Sequence, residues 1–558
     1  MTRNANLMIG LCSICLTLTL AAAAAAMPVY SRDNAPPTPK LEDLPLKESV
    51  SQYGITWTFS EPARVGQFVN GDYYVVGPAT VTMIEPKALY GQEVPEDQLD
   101  NYDKKQPREK HIRNGSMLNP PPNGDMAYDS GLRSAPHMAF KPELVARVPI
   151  AMKAGDILVS TISLKLNEKS SFAYHSSGPR AYRDNCPIKV ATVLTCVAGP
   201  QPPDAFRPSY GDRGQTIYVA RNLRRDLLAT LKRPQGAPDP VKFAEIFQKC
   251  WLNPGFFGFD QPMENMPHYG QWVGQASGDG GLLLCMDFPP AEKEPLLINF
   301  VQVGIDYWGL VKNGHPGWEG WGGHGSGRKL PIVLAGILLG DDQMASPTKT
   351  LPKVEFGEDN QTRYGECWTG AKVVFTGHSG ISSASGKPPR PVWGPYEHLW
   401  PTNWHNDNKA NHWQSEGYRR CCSSNCWVGQ ALTIRLMKAE KLWNHDAFFD
   451  YVDRWMAEND ADQRHLLAPL APKGYEHMMP DSATWAHQGY ANNEAWVTAM
   501  WKSYRTGEGL PPTDGWKTLK PNPDGLVLPK AETVKDAKPP VAIPASAAPK
   551  SGAPKAEE

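Results

Sequence analysis

The sequence has almost no excess charge of either sign. Lys and Arg number 57 against 58 Asp and Glu, a formal net of −1. Such a balance gives no global field for nucleic acid or an anionic membrane surface. An anionic partner would have to be met by a local group of Arg, Lys and His. Long apolar runs are also scarce. One spans Leu7 to Leu20, behind Arg3 and ahead of the small residues Ala21 to Ala26, which is the layout of a secretory signal peptide over 1–26. It is short for a spanning helix, and no second run follows. The mature chain is therefore expected to be secreted or periplasmic, with no membrane partner once the signal is removed. Leu11 and Ile14 precede Cys12 and Cys15 where a lipoprotein needs a small residue.

Several motifs are missing. Gly323-His324-Gly325-Ser326-Gly327-Arg328-Lys329 does not have the spacing of a nucleotide-binding phosphate loop. Gly377-His378-Ser379-Gly380 lacks the nucleophile-elbow pattern of a serine hydrolase. The chain has 10 cysteines, with no second Cys/His pair at finger-like spacing. Cys421, Cys422 and Cys426 crowd one segment, and Cys186 and Cys196 flank an apolar run that a disulfide could clip. No cofactor is expected, and a structural divalent metal is left open.

What is present divides the chain. Residues 27–50 are rich in Pro and charge and read as a linker. From Tyr53 the pattern changes: Ile55, Trp57 and Phe59 alternate with Thr56 and Thr58, the period of a half-buried strand. Tyr73 to Val76, Val81 to Ile84, Ile157 to Leu164 and Ile188 to Cys196 are further β-type runs, separated by turn signals such as Gly71-Asp72 and Gly77-Pro78. Residues 51–205 thus read as a β-sandwich-like module.

The remainder reads as helical. Asp239-Pro240 offers a capping side chain followed by Pro at the first turn. Leu296 to Val311 and Lys329 to Leu339 are apolar on most sides, as in helices buried between neighbours. Ser424 or Asn425 could cap a helix through Leu436, Asp446 opens another, and Trp496 to Trp501 marks one more. Long Gly- and Trp-rich loops separate these helices, which suits an α/α toroid over 206–510 better than a tight bundle. Residues 511–558, rich in Pro, Lys and Ala, are expected to be a disordered tail.

The chemistry-bearing residues gather in these loops. One is Asn265 to Gly270, with His268-Tyr269. A second is His315 to Arg328, with Trp318, Glu319, Trp321 and His324. A third runs from Arg390 through Trp393, Tyr396, His398, Trp400, Trp404 and His405 to Trp413, followed by Tyr418, Arg419 and Arg420. Indole and phenol rings stack on the apolar face of a pyranose, and Gly-rich loops let backbone approach a bulky chain. Any single Trp is better explained as core; the density of Trp in the second and third loops shifts the balance towards a cleft.

A β-rich module joined to a helical domain with His268-Tyr269, Trp321 to Arg328 and Arg390 to Tyr396 resembles the (α/α)-toroid polysaccharide lyases. Within that group it looks most like the family 38 alginate and glucuronan lyases, over roughly 240–505. The resemblance implies β-elimination on an anionic, uronic-acid-containing polysaccharide. Such a reaction needs the substrate carboxylate neutralised, a base for the C5 proton and an acid for the leaving O4. It implies Tyr396 as acid, also able to serve as base, His268 or His324 as base, and Arg390 or Arg419 on the carboxylate. Glu319 would hold an imidazole or share a proton with substrate. Trp318, Trp321 and Tyr418 would wall the sugar site, with His405 beside it. Two rivals stand: a glycoside hydrolase on a similar toroid, using two of Glu319, Asp341, Asp342, Glu397 and Glu416, and a non-catalytic glycan-binding protein. Arg419 and Arg420 could equally pair with Glu416 and Glu440. Linkage, endo or exo action and oligomeric state are not legible.

Overall fold

The computed structural model describes residues 27–101, 103–122, 125, 127–129, 141–168, 187–252, 270–320, 323–376, 396–405, 416–417, 419–458, 460–471 and 495–505. The signal segment 1–26 and the tail 511–558 lie outside them. The fold is mixed α and β, with a β-rich N-terminal region built on a curled sheet, a half-barrel.

The strands of that sheet are β1 (Leu46–Gln52), β2 (Ile55–Gln67), β3 (Tyr73–Val76) and β4 (Ala79–Glu85), then, after a small β5–β6 hairpin (Leu89–Tyr90, Ile112–Arg113), β7 (Ser116–Leu118), β8 (Ile150–Met152), β9 (Ile157–Ser163) and β10 (Ile188–Val197). The 8-stranded order is β7-β9-β10-β3-β2-β4-β8, with β1 pairing β2 off this path. A sandwich needs two sheets; here the long β2 serves both halves, pairing β4 near Trp57 and β3 near Val65. Register shifts at Lys47/Ser49, Thr58/Phe59 and Ile188/Val190 mark irregularities of the kind that add twist. The expected linker is also partly structure: β1 starts at Leu46, and the Arg64 guanidinium donates to the Glu42 carbonyl at 3.1 Å.

Both faces of the sheet are covered. Trp57, Val75, Leu158, Val190 and Leu194 fill the inside of the curl, where the Trp57 indole donates to Ser160 Oγ at 3.0 Å. Ile157, Val159, Ala191 and Val193 point the other way, into the large core shared with the helices. This is strand alternation with apolar residues on both sides. The β-rich part and the helical part therefore share one core. A buried Arg207 ties them: its guanidinium donates to Asp72 Oδ2 at 2.5 Å and to both carboxylate oxygens of Asp306 at 2.9 and 2.6 Å.

The helical part has the expected Pro290–Lys312, Lys329–Leu339, Val428–Leu436, Asp446–Ala457 and Ala495–Tyr504. Asp239 does cap, accepting Val241 N–H at 2.9 Å, but the helix it starts ends at Phe243. The Val428 helix is preceded by Trp427, with no side-chain cap; the Ser424 hydroxyl is engaged with Tyr451 at 2.7 Å. A further helix, Gly270–Leu284, arises from GQWVGQASGDGGLLL, a sequence too rich in glycine for propensity to predict. Packing explains it. A Cβ on Gly278 would lie 2.9 Å from the Gln430 amide nitrogen, and one on Gly429 2.9 Å from the Gly278 carbonyl carbon. Only two bare backbones fit at that crossing. No described helix is long and apolar enough to cross a membrane.

Candidate active site

The Gly323–Arg328 loop enters from the short strand Gly317–Trp318 and leaves into the Lys329–Leu339 helix. It is fixed from several sides. Ser277 Oγ donates to the Gly327 carbonyl at 2.9 Å, and the Trp427 indole donates to Ser326 Oγ at 3.0 Å. Arg328 folds back to donate to the carbonyls of His324 at 2.8 Å and Ser326 at 2.7 Å. Burial works against the Arg328 charge and lowers its pKa, with Tyr307 and Glu358 opposing that fall. Lys329 is turned inward, its ammonium donating to the Trp443 carbonyl at 2.6 Å and to Asp359. This loop is a packing device, and its cations are spent on protein groups.

A second polar group surrounds Glu416. The Tyr396 hydroxyl donates to Glu416 Oε2 at 2.9 Å, Arg419 donates to both Glu416 oxygens at 3.1 Å, and Arg420 Nε donates to Oε1 at 2.8 Å. Arg419 also reaches Glu458 at 2.9 Å, and Arg420 reaches Asp460 at 2.7 Å. Arg454 grips Glu397 at 2.9 and 2.8 Å. Tyr396, Glu397, Glu416, Arg419, Arg420 and Glu458 are all buried. Burial alone would raise the Glu416 pKa, but Arg419 and Arg420 outweigh it and hold the carboxyl far below the usual range. Burial, reinforced by the Glu416 charge, pushes the Tyr396 phenol well above its usual value.

The sequence-picked residues divide four ways. Trp318 is 1 % exposed, stacked on His315 at 4.6 Å and flanked by Phe356 and Tyr307, so it is core and offers no face to a sugar. Glu319 is also buried. Tyr396 and Arg419 belong to the ion network just described, at 0 % and 1 % exposure. His324 is only partly buried, and His405 closes the turn Pro401–His405. His268, Trp321, Arg390 and Tyr418 lie outside the described residues.

The three loops nevertheless meet at their described ends. A Cβ on Gly270, two positions after His268, would lie 1.9 Å from the His324 carbonyl oxygen, and one on Gly323 would lie 1.9 Å from the Cys422 carbonyl oxygen. Gln271 Nε2 donates to Asn425 Oδ1 at 3.0 Å. Tyr396 joins through Glu416, which begins the same 416–427 stretch. The hub, Glu416, was visible in the sequence as one of the carboxylates open to a hydrolase and as a pairing partner for Arg419 and Arg420, and that pairing forms. Glu440 pairs with Arg435 at 3.5 Å instead. Glu397 was named only among the carboxylates open to a hydrolase, and Arg454, Tyr451 and Glu458 carried no sequence signal beyond a helical i, i+4 spacing of Arg454 and Glu458, whose charges meet at 3.0 Å.

The cysteines depart from expectation. Cys196 is a buried free thiol facing the inside of the curled sheet, so it forms no clip with Cys186. Cys422 is disulfide-bonded, whereas Cys426 is free and donates to the Ser423 carbonyl at 3.0 Å. Among the described residues no group of three or more His, Cys, Asp or Glu is arranged to hold a metal ion.

No protein-family model matches the chain, and neither does any curated protein or solved structure.

Proposed function

We propose that the chain is an exported polysaccharide lyase that cleaves a uronic-acid-containing polymer of the alginate or glucuronan kind by β-elimination, on a helical domain of the α/α-toroid type. The observation that carries this reading is the meeting of three loops rich in His, Tyr and Arg around the start of the Gly270–Leu284 helix. In β-elimination a base removes the C5 proton, the electron pair forms the C4–C5 double bond, and O4 departs with a proton from an acid. His324, partly exposed on a fixed loop, is the leading base, with His268 as its alternative. Arg390 is the residue for the substrate carboxylate, because the Arg419 guanidinium is committed to Glu416 and Glu458. Tyr396 serves as a support for Glu416 rather than as the acid, since its hydroxyl is committed as donor to that buried carboxylate, and the proton for O4 then comes from the imidazolium formed at the base.

The burial and pairing of the carboxylates favour this reading over a hydrolase. A glycosidase needs a protonated carboxyl at the cleft. Glu416 and Glu397 are each gripped by Arg, and Asp341 caps a helix while accepting the Tyr218 hydroxyl at 2.6 Å. The test is to incubate the mature chain with a panel of polyuronates and record ultraviolet absorbance alongside new reducing ends. Absorbance from an unsaturated terminus, rising with the reducing ends, is expected. Reducing ends without absorbance would indicate the hydrolase, and binding without either would indicate a glycan-binding protein.

A further inference from the structure

Against the Gly323–Arg328 loop lies a carboxylic acid outside all the loop motifs. Glu358 sits in the short helix Gly357–Asn360 and is 0 % exposed. Its Oε1 accepts the Gly327 N–H at 2.5 Å, while its buried Oε2 accepts no hydrogen bond among the described residues. The neighbouring Gly357 touches the same loop: a Cβ there would lie 2.8 Å from the Gly325 carbonyl carbon. Gly327 has φ +90°, a conformation open to glycine and strained for other residues, so its amide direction is set by this contact and by the turn itself.

We propose that Glu358 is the positioning residue of the His324 loop: neutral, the buried carboxyl seats against the Gly327 amide with the loop closed, whereas a charge in that dry site, with Oε2 unpartnered among the described residues, favours opening of the loop to water. The consequence for catalysis rests on His324 acting in the proposed elimination; the clamp does not.

The charged and titratable groups facing Glu358 are Arg328 and Lys329 from the loop and its following helix, Asp359 from its own helix, and Cys426 from the 416–427 stretch. Burial pushes the carboxyl up to about 7 against the pull of the Gly327 N–H, with Asp359 adding to the rise and Lys329 opposing it. Lys329 is already bound to Asp359 and the Trp443 carbonyl. Arg328 is held by the carbonyls of His324 and Ser326, so a charged Glu358 gains further donors from water when the loop opens. The device converts one deprotonation near neutrality into release of the segment that bears the proposed base.

The experiment is hydrogen exchange of the 323–328 segment in the full mature chain, corrected for intrinsic base catalysis, for the native protein, Glu358→Gln and Glu358→Ala. Protection of the native loop should fall about tenfold between roughly pH 6 and pH 8, Glu358→Gln should hold it constant, and Glu358→Ala should lose it at both. The turnover profile on polyuronate should lose its neutral-pH limb in Glu358→Gln. A native loop with no pH step, or an unchanged step in Glu358→Gln, would overturn the clamp. If the native chain lacks lyase activity, the exchange data still decide the clamp while the functional reading fails separately.

Discussion

The Tyr396 hydroxyl donates to Glu416 across 2.9 Å in a site sealed from solvent, and both arginines that follow, Arg419 and Arg420, close on the same carboxylate. Glu416 thus ties the end of one loop to the turn that carries the next. Its folded pKa lies below the unfolded value because the guanidinium charges outweigh burial. A depressed carboxylate pKa adds stability above the unfolded value, and that stability is lost as pH falls through the folded one. Replacing Glu416 by Gln should cost on the order of 3–5 kcal/mol near neutral pH, because it leaves two buried guanidinium groups short of a counter-charge. The penalty should shrink as pH falls below about 4. Denaturant melts of the native chain and Glu416→Gln at several pH values would check both the size and the direction.

His324 and Tyr396 make opposite predictions. Removing a general base costs on the order of 100- to 10,000-fold in turnover, and His324→Ala should show a loss of that size with the fold retained. Tyr396→Phe removes one hydrogen bond to Glu416 and should lower stability by about 1 kcal/mol, with less than about tenfold loss of turnover. A dead but stable Tyr396→Phe would restore the acid role that the sequence suggested for this phenol. Steady-state kinetics with circular dichroism on both variants would separate the cases.

Glu358 should make the protein more stable in mild acid than in mild base. Its folded pKa, about 7, lies above the unfolded value. The stabilisation is therefore complete below the unfolded pKa of about 4.3 and is lost as pH rises through the folded value. Glu358→Gln should raise the melting temperature at about pH 8 and lose that advantage toward about pH 5, with a span on the order of 2–3 kcal/mol. Calorimetric scans at the two pH values are the check.

Gly278→Ala tests the helix crossing. Helix propensity favours Ala by about 1 kcal/mol. A Cβ there, however, meets the Gln430 backbone nitrogen at 2.9 Å, and backbone cannot rotate away as a side-chain tip can. Overpacking of this kind costs about 1–3 kcal/mol, so the net change should be destabilising. A thermal melt showing a stabilised Gly278→Ala would contradict the crossing geometry.

Arg207→Ala should be the most damaging change away from the loops. It strands Asp72 and Asp306 in the shared core, and losing one partner of a buried ion group costs about 3–5 kcal/mol. Chemical denaturation should show one earlier cooperative transition rather than two, because the sheet and the helices share that core.

The strands were legible because Ile55, Trp57 and Phe59 alternate and because Tyr73 to Val76 is bounded by turns on both sides. The buried helices were legible from their apolar runs at Leu296 to Val311 and Lys329 to Leu339. The curl was not, since it depends on β2 serving two sets of partners, which is long-range pairing. The Gly270 helix was hidden because its glycines answer close neighbours, Gly278 the Gly429–Gln430 backbone, Gly280 the Phe300 ring and Gly281 the Thr433 side chain, rather than helix propensity. In the candidate site, the pairing of Glu416 with Arg419 and Arg420 could be read from i, i+3 and i, i+4 spacing. The burial of Trp318 and Tyr396 could not, because composition does not tell an indole that faces sugar from one that faces Phe356. Glu358 was invisible for the same reason: its chemistry comes entirely from the dry surroundings that folding gives it.

The most direct test is digestion of a polyuronate by the mature chain in water labelled with oxygen-18, followed by mass spectrometry of the fragments. Elimination breaks the C4–O4 bond without consuming water, so the account predicts unlabelled products with an unsaturated terminal uronate. Label built into the new ends, with saturated termini, would show hydrolysis and contradict it.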